Sequence, residues 1–124
     1  MKPARVLIVD DNPLLVELAS FVLAAAAFQV ASVTDATQAL ALVAAFQPDL
    51  ILMDIQMPGI DGLELAGRIK ADPATRHMVL LAFTAFAMKG DEARMHAAGC
   101  DGYIAKPFDV ASLAATVRGH LPAG

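Results

Sequence analysis

Four short apolar runs in this chain end in residues equipped for chemistry. Arg5-Val-Leu-Ile-Val9 ends in Asp10 and Asp11, Leu50-Ile-Leu-Met53 in Asp54, Met78 to Phe83 in Thr84, and Gly102 to Ala105 in Lys106. If these runs are parallel strands, all five polar side chains gather at one edge of a sheet. Carboxylates held about 4 Å apart repel by about 4 kcal/mol per pair at an effective dielectric of about 20. A hard divalent cation relieves that strain. Mg²⁺ suits such a site, because it prefers oxygen ligands, keeps several waters, and uses one or two carboxylates together with phosphate oxygens. A carboxylate is also a nucleophile toward phosphorus and yields an aspartyl phosphate. A phosphoryl group in transfer needs positive charge around its equatorial oxygens, which a metal and the Lys106 ammonium can supply.

The elements that would carry these residues follow from periodicity. Arg5 to Val9 lacks polar alternation and so suits a strand covered on both faces. Asn12 is placed to cap a helix with Pro13 at its first position, and Leu15, Leu18 and Val22 recur as a helix face. Phe28 to Val33 reads as the second strand. Asp35 and Gln38 have capping-box spacing and open a helix through Phe46, which Pro48 stops. Leu50 to Met53 is the third strand, Met57-Pro58-Gly59 a turn, and a helix follows from about Asp61 to Ala71. Met78 to Phe83, a short helix from about Gly90 to Ala98, and the strand Gly102 to Ala105 come next, and Asp109 caps a last helix to about His120. Five strands alternating with five helices specify a parallel sheet with helices on both faces. Ligands of such open sheets bind beyond the carboxyl ends of the strands, at the switch point in strand order.

Val9-Asp10-Asp11-Asn12, Asp54-Ile-Gln-Met-Pro58-Gly-Ile-Asp-Gly62, Thr84-Ala85 and Lys106-Pro107-Phe108 resemble the receiver domain of two-component response regulators, the CheY-like family. The resemblance covers essentially the whole chain. From Thr84 through Gly99-Cys100 and Tyr103 to Pro107 it is closest to DivK-type single-domain regulators and to receivers of hybrid histidine kinases. It implies a flavodoxin-like, doubly wound (βα)5 fold with a five-stranded parallel sheet in the order 2-1-3-4-5. It also implies that Asp54 is the phospho-acceptor. Asp11 and Asp54 would ligate Mg²⁺ directly, Asp10 mostly through water, and Gln56 through its backbone carbonyl. Lys106 would pair with the phosphoryl group, Thr84 would hydrogen-bond it after transfer, and Tyr103 would swing inward as Thr84 moves. The Lys106–Pro107 peptide is cis in the family, a geometry that X-Pro bonds tolerate.

Simpler readings stand beside several of these. Asp10 or Asp11 alone could equally cap the first helix, and it is their company with Asp54 that points to a metal. Thr84 alone is a common strand-end residue, although its small neighbour Ala85 leaves room for an incoming group. Tyr103 is open between a switch residue and a plain edge-strand aromatic. His77, His96 and His120 share no metal-ligand spacing and read as surface residues. Cys100, Met53 and Met57 read as core fillers. Ala27 stands where the family usually has glycine, so a left-handed conformation there would cost about 1 kcal/mol.

Composition narrows the field further. The net charge of −4 argues against a nucleic-acid-binding surface, which needs a basic face. The longest apolar stretch, Phe21 to Phe28, is too short to cross a bilayer, and no secretory signal is visible. A single cysteine excludes an internal disulfide and suits a reducing cytoplasm. The expected protein is one receiver domain over residues 1–124 without an output domain. It acts as a switch that catalyses only its own phosphorylation and slow dephosphorylation. Its expected partners are a sensor histidine kinase or histidine phosphotransfer protein and a downstream protein target, with neither nucleic acid nor membrane involved. Phe86, two residues beyond Thr84, is expected to hinder attacking water and prolong the phosphorylated state. The rivals are a flavin- or nucleotide-binding module, which lacks a phosphate-cradling loop here, and an aspartate-nucleophile phosphatase, which would want an acid where Gln56 stands. A receiver that docks without being phosphorylated is the last.

Overall fold

The computed structural model describes residues 3–57, 60–85 and 89–121. β1 (Arg5–Val9), β2 (Gln29–Val33), β3 (Leu50–Asp54), β4 (Val79–Thr84) and β5 (Gly102–Ala105) form one parallel sheet in the order β2-β1-β3-β4-β5. Helices α1 (Pro13–Ala25), α2 (Ala39–Phe46), α3 (Gly62–Ala71), α4 (Lys89–Ala97) and α5 (Leu113–His120) connect or follow the strands. The expected topology is the observed one.

Alternation along each strand divides the core in two. Val6 and Ile8 of β1, Leu50 and Leu52 of β3, and Leu81 of β4 pack with Val16, Ala19 and Leu23 of α1 and Leu113 and Val117 of α5. Leu7, Val9, Ile51, Met53, Leu80 and Ala82 point the other way, into a cluster with Val43, Leu65, Ile69, Met95 and Cys100. Because both faces are covered, the central strands tolerate apolar residues at every position. Met53, Met57 and Cys100 are core fillers, as expected, and burial pushes the Cys100 thiol up to about 11. His77, His96 and His120 are exposed.

The strand starts are laced together. The Gln29 amide donates to the Ala4 carbonyl at 2.9 Å, and the Arg5 amide to Asp49 Oδ2 at 2.8 Å. The Val79 amide reaches the Asp49 carbonyl at 3.0 Å, and Asp101 Oδ2 accepts both the Leu80 amide at 2.8 Å and Lys70 Nζ at 2.7 Å. Every neighbouring pair in the sheet is thus tied at the end remote from Asp54.

Local details differ from the sequence reading in three places. The stripe of α1 that faces the sheet is Val16, Ala19 and Leu23, whereas Leu15, Leu18 and Val22 lie one residue away and Leu18 is 46 % exposed. This helix is apolar around most of its circumference, so spacing alone cannot select the buried stripe. Asp35 does cap its segment, accepting from the Thr37 amide and hydroxyl, but the segment opens as a 3-10 turn (Ala36–Gln38) before α2. Gln38 contributes no side-chain cap. The Asp109 carboxylate accepts from the Ala111 amide and its carbonyl from Ser112 and Leu113, so Asp109 shapes the turn that precedes α5 rather than capping the helix itself. Ala27 adopts the left-handed conformation with φ 73°, as its position suggested. Residues flanking the expected turn pair antiparallel, Gln56 with Asp61 and Met57 with Ile60, while Pro58 and Gly59 lie outside the described residues. Phe86 also lies outside them. Among the described residues no helix is long and apolar enough to cross a membrane.

Candidate functional site

The acidic residues sit where chain direction changes at the ends of β1 and β3. Asp10 turns the chain by accepting the Asn12 amide on Oδ1 at 2.9 Å, and Asn12 in turn caps α1 through the Leu14 and Leu15 amides. Asp54 repeats the device, accepting the Gln56 amide on Oδ1 at 2.9 Å. An aspartate that bonds the backbone two residues on is a turn former in its own right, which is why both carboxylates are fixed in direction. Oxygens of Asp10, Asp11 and Asp54 lie within 4.8 Å of one another. Asp10 is fully buried and Asp54 only 4 % exposed, whereas Asp11 faces solvent.

Lys106 bridges the two buried carboxylates, with Nζ 2.7 Å from Asp10 Oδ2 and 3.1 Å from Asp54 Oδ2. It follows β5, its amide donates to the Thr84 carbonyl at 2.8 Å, and its peptide bond to Pro107 is cis, as the resemblance implied. Its ammonium also lies 5.3 Å from the centre of the buried Phe83 ring, which packs 5.7 Å from Phe108. Phe83 is in register with Asp54 on the neighbouring strand. It gives the lysine an apolar floor and a weak cation–π attraction. Sequence reasoning missed this residue, since nothing marks one aromatic within a wholly apolar strand as the partner of a distant lysine.

Electrostatics explain why the cluster is primed for a cation. Burial raises the Asp10 carboxyl above its ordinary value despite hydrogen bonds from Lys106 and the Asn12 amide, and the Asp54 charge pushes the same way. Burial opposes the Lys106 charge too, but hydrogen bonds and Coulombic contact with Asp10 and Asp54 outweigh it and hold the ammonium above its usual range. Both members of the pair therefore shift upward, because Asp10 is wholly enclosed while Lys106 keeps some solvent. Asp10 Oδ2 lies 2.7 Å from Nζ but in poor hydrogen-bond geometry, so this buried oxygen is incompletely satisfied. Among the described residues one ammonium stands against three carboxylates, an excess of two negative charges. All-oxygen donors, excess negative charge and an incompletely satisfied buried oxygen fit Mg²⁺.

Asp10→Asn tests this balance. A carboxyl whose folded pKa lies above its unfolded value favours the folded state when protonated, and that stability is lost as pH rises through the folded value. At neutral pH the ionised Asp10 is therefore a cost, and Lys106 keeps Asp54 as a partner when it is removed. The variant is expected to melt about 4 °C higher than the wild type without Mg²⁺, equivalent to about 1 kcal/mol, and to gain less from added Mg²⁺. Calorimetry at both metal conditions measures it, and equal melting temperatures would remove the repulsion argument.

The remaining expected residues fall around this cup. Thr84 is buried at the end of β4, opposite Ala105 in the β4–β5 register. The Gln56 side chain is exposed. Tyr103 is half-buried against the second core, and its hydroxyl donates to Glu92 on α4, a contact invisible to sequence patterning.

Comparison with known proteins bears on this arrangement. The response regulator receiver domain profile matches residues 6–118. The polar-differentiation response regulator DivK of Brucella anthropi is 41 % identical over 119 residues, covering 96 % of this chain and 97 % of that protein. The chemotaxis protein CheY4 of Vibrio cholerae superposes with a TM-score of 0.90 at 27 % identity, over 96 % of this chain and 99 % of the other. The receiver domain of a Syntrophus aciditrophicus signal transduction histidine kinase gives 0.84 at 30 % identity, over 95 % and 89 %. A sheet of this order, carrying this acidic end and matched along nearly its whole length, belongs to the response regulator receiver domain family, whose members are phosphorylation-operated signalling switches.

Proposed function

We propose that Asp54 accepts a phosphoryl group from the phosphohistidine of a sensor histidine kinase or phosphotransfer protein, or from a small phosphodonor. The observation that carries this reading is the convergence of Asp10, Asp11 and Asp54 within 4.8 Å around a bridging lysine. The Asp54 turn bond through Oδ1 leaves Oδ2 as the attacking oxygen, directed by Lys106. As the new O–P bond forms, the donor's N–P bond breaks and its electron pair returns to the imidazole. Asp11, Asp54 and the Gln56 carbonyl would hold Mg²⁺ directly and Asp10 mostly through water, and the ion would supply charge neutralisation for the transferring oxygens. Lys106 then balances the added phosphoryl charge, and the Thr84 hydroxyl bonds a phosphoryl oxygen. Thr84 and Tyr103 share one face of adjacent strands, since Ala82 is in register with Tyr103 and Thr84 lies two residues on. Movement of Thr84 is thereby relayed to Tyr103 and to the surface of α4, β5 and α5, where a downstream protein binds. Reversing a 1:99 equilibrium requires about 5.5 kcal/mol, which charge-assisted bonds can supply only in a desolvated cup such as this one.

On this reading the 124 residues work as one receiver domain in the cytoplasm, turning over no substrate beyond their own phosphoryl group. The likeness to DivK makes kinases of polar differentiation the first partners to try. Incubation with acetyl phosphate and Mg²⁺ is expected to add one phosphoryl mass per chain, and chelation of the metal to reduce the rate at least about 100-fold. Labelling indifferent to chelation would refute the metal assignment.

A further inference from the structure

Tyr103 is the chain's one tyrosine, and Glu92 takes its hydroxyl proton as a hydrogen-bond acceptor from the first turn of α4. Met95, one turn along the same helix, is buried in the core against which the Tyr103 ring packs. The bond therefore joins a half-buried strand residue to an exposed carboxylate of α4. Nothing in phosphoryl transfer at Asp54 uses Glu92, and its side chain is otherwise exposed.

We infer that Glu92 is a positioning residue of the switch: by accepting the Tyr103 hydroxyl it holds Tyr103 against α4 in the resting protein and so sets how readily the cup takes up a phosphoryl group. The inference rests on the acceptor reading above. A bond made only in the resting state favours that state, and its removal shifts the population toward the other. By reciprocity, whatever releases Tyr103 must also tighten the cup's hold on a phosphoryl mimic.

The chain contains no tryptophan, so tyrosine emission reports Tyr103 alone. A tyrosine hydroxyl bonded to a carboxylate emits weakly, because the excited phenol passes its proton to the acceptor. Beryllofluoride with Mg²⁺ is the probe, and its binding is followed both by emission and by the rise in melting temperature. In the wild type, emission is expected to increase as beryllofluoride binds. Glu92→Ala is expected to be bright from the start and to bind the mimic about fivefold more tightly, the effect of one lost hydrogen bond to an exposed acceptor. Glu92→Gln retains an acceptor and is expected to keep near-wild-type affinity. Asp91→Ala alters the same helix turn but not the tyrosine, since Asp91 pairs with Arg94, and should leave affinity unchanged.

Equal affinities for wild type and Glu92→Ala, or an equal gain in Asp91→Ala, would overturn the inference while leaving Asp54 as acceptor intact. A wild type that beryllofluoride does not stabilise at all would overturn the acceptor reading, and the Glu92 role with it.

Discussion

Asp54→Asn is expected to lose all labelling by acetyl phosphate or by a phosphorylated kinase while unfolding at a temperature close to that of the wild type. The amide has no anionic oxygen to attack phosphorus, and no other carboxylate in the cup can take over. Asp10 Oδ2 is buried against Lys106, and Asp11 is turned to solvent. The fold should survive because Asn bonds the backbone two residues on as Asp does, so the turn made by the Gln56 amide is kept. The substitution also removes one negative charge from a cup with an excess of them, which compensates for the weaker contact to Lys106. Intact-mass measurement over a time course gives the result directly. Full labelling of the variant would end the assignment, and labelling that moved to Asp10 or Asp11 would show the cup to be less directed than its hydrogen bonds indicate.

Gly62→Ala is expected to have the largest effect on stability of any single methyl addition at a described glycine. A Cβ at Gly62 would stand 2.4 Å from the Ile55 Cα and 2.9 Å from the Asp54 carbonyl oxygen. Both obstacles are backbone, so no side chain can rotate away. Either the start of α3 or the segment after Asp54 must move, at about 3 kcal/mol and a fall in melting temperature of about 10 °C. Gly119→Ala is the control: nothing lies within 4 Å of its added Cβ, and alanine favours a helix by up to about 1 kcal/mol. Displacement at Ile55 would also shift the Asp54 turn, so the rate of labelling, measured well below the melting temperature, should fall in Gly62→Ala alone. An unchanged melting temperature would show that the α3 start is slack.

Most of the architecture was legible because both faces of the sheet are covered. Such strands become uninterrupted apolar runs, and the first polar residue after each run marks the sheet edge where Asp10, Asp54, Thr84 and Lys106 sit. The illegible parts depend on direction around an axis or on partners far along the chain. The inward stripe of α1 could not be chosen because Leu14, Leu18 and Phe21, all exposed, are as apolar as Val16, Ala19 and Leu23. Phe83 under Lys106 and Glu92 beside Tyr103 are pairings across elements, set by strand register and helix rotation rather than by spacing. Gly62 stood in the motif that carried the family resemblance, but only coordinates reveal that it is small because Ile55 passes so close.

The cross-ties among the strand starts give the sheet a grip at one end and a mouth at the other. At the grip Lys70 pairs with Asp101, and the carboxylates of Asp49 and Asp101 accept the backbone amides of Arg5 and Leu80. The mouth holds surplus like charge that only an arriving ligand can quiet. The ties at the grip do not involve the residues of the mouth, so charge at the mouth can be altered without loosening them.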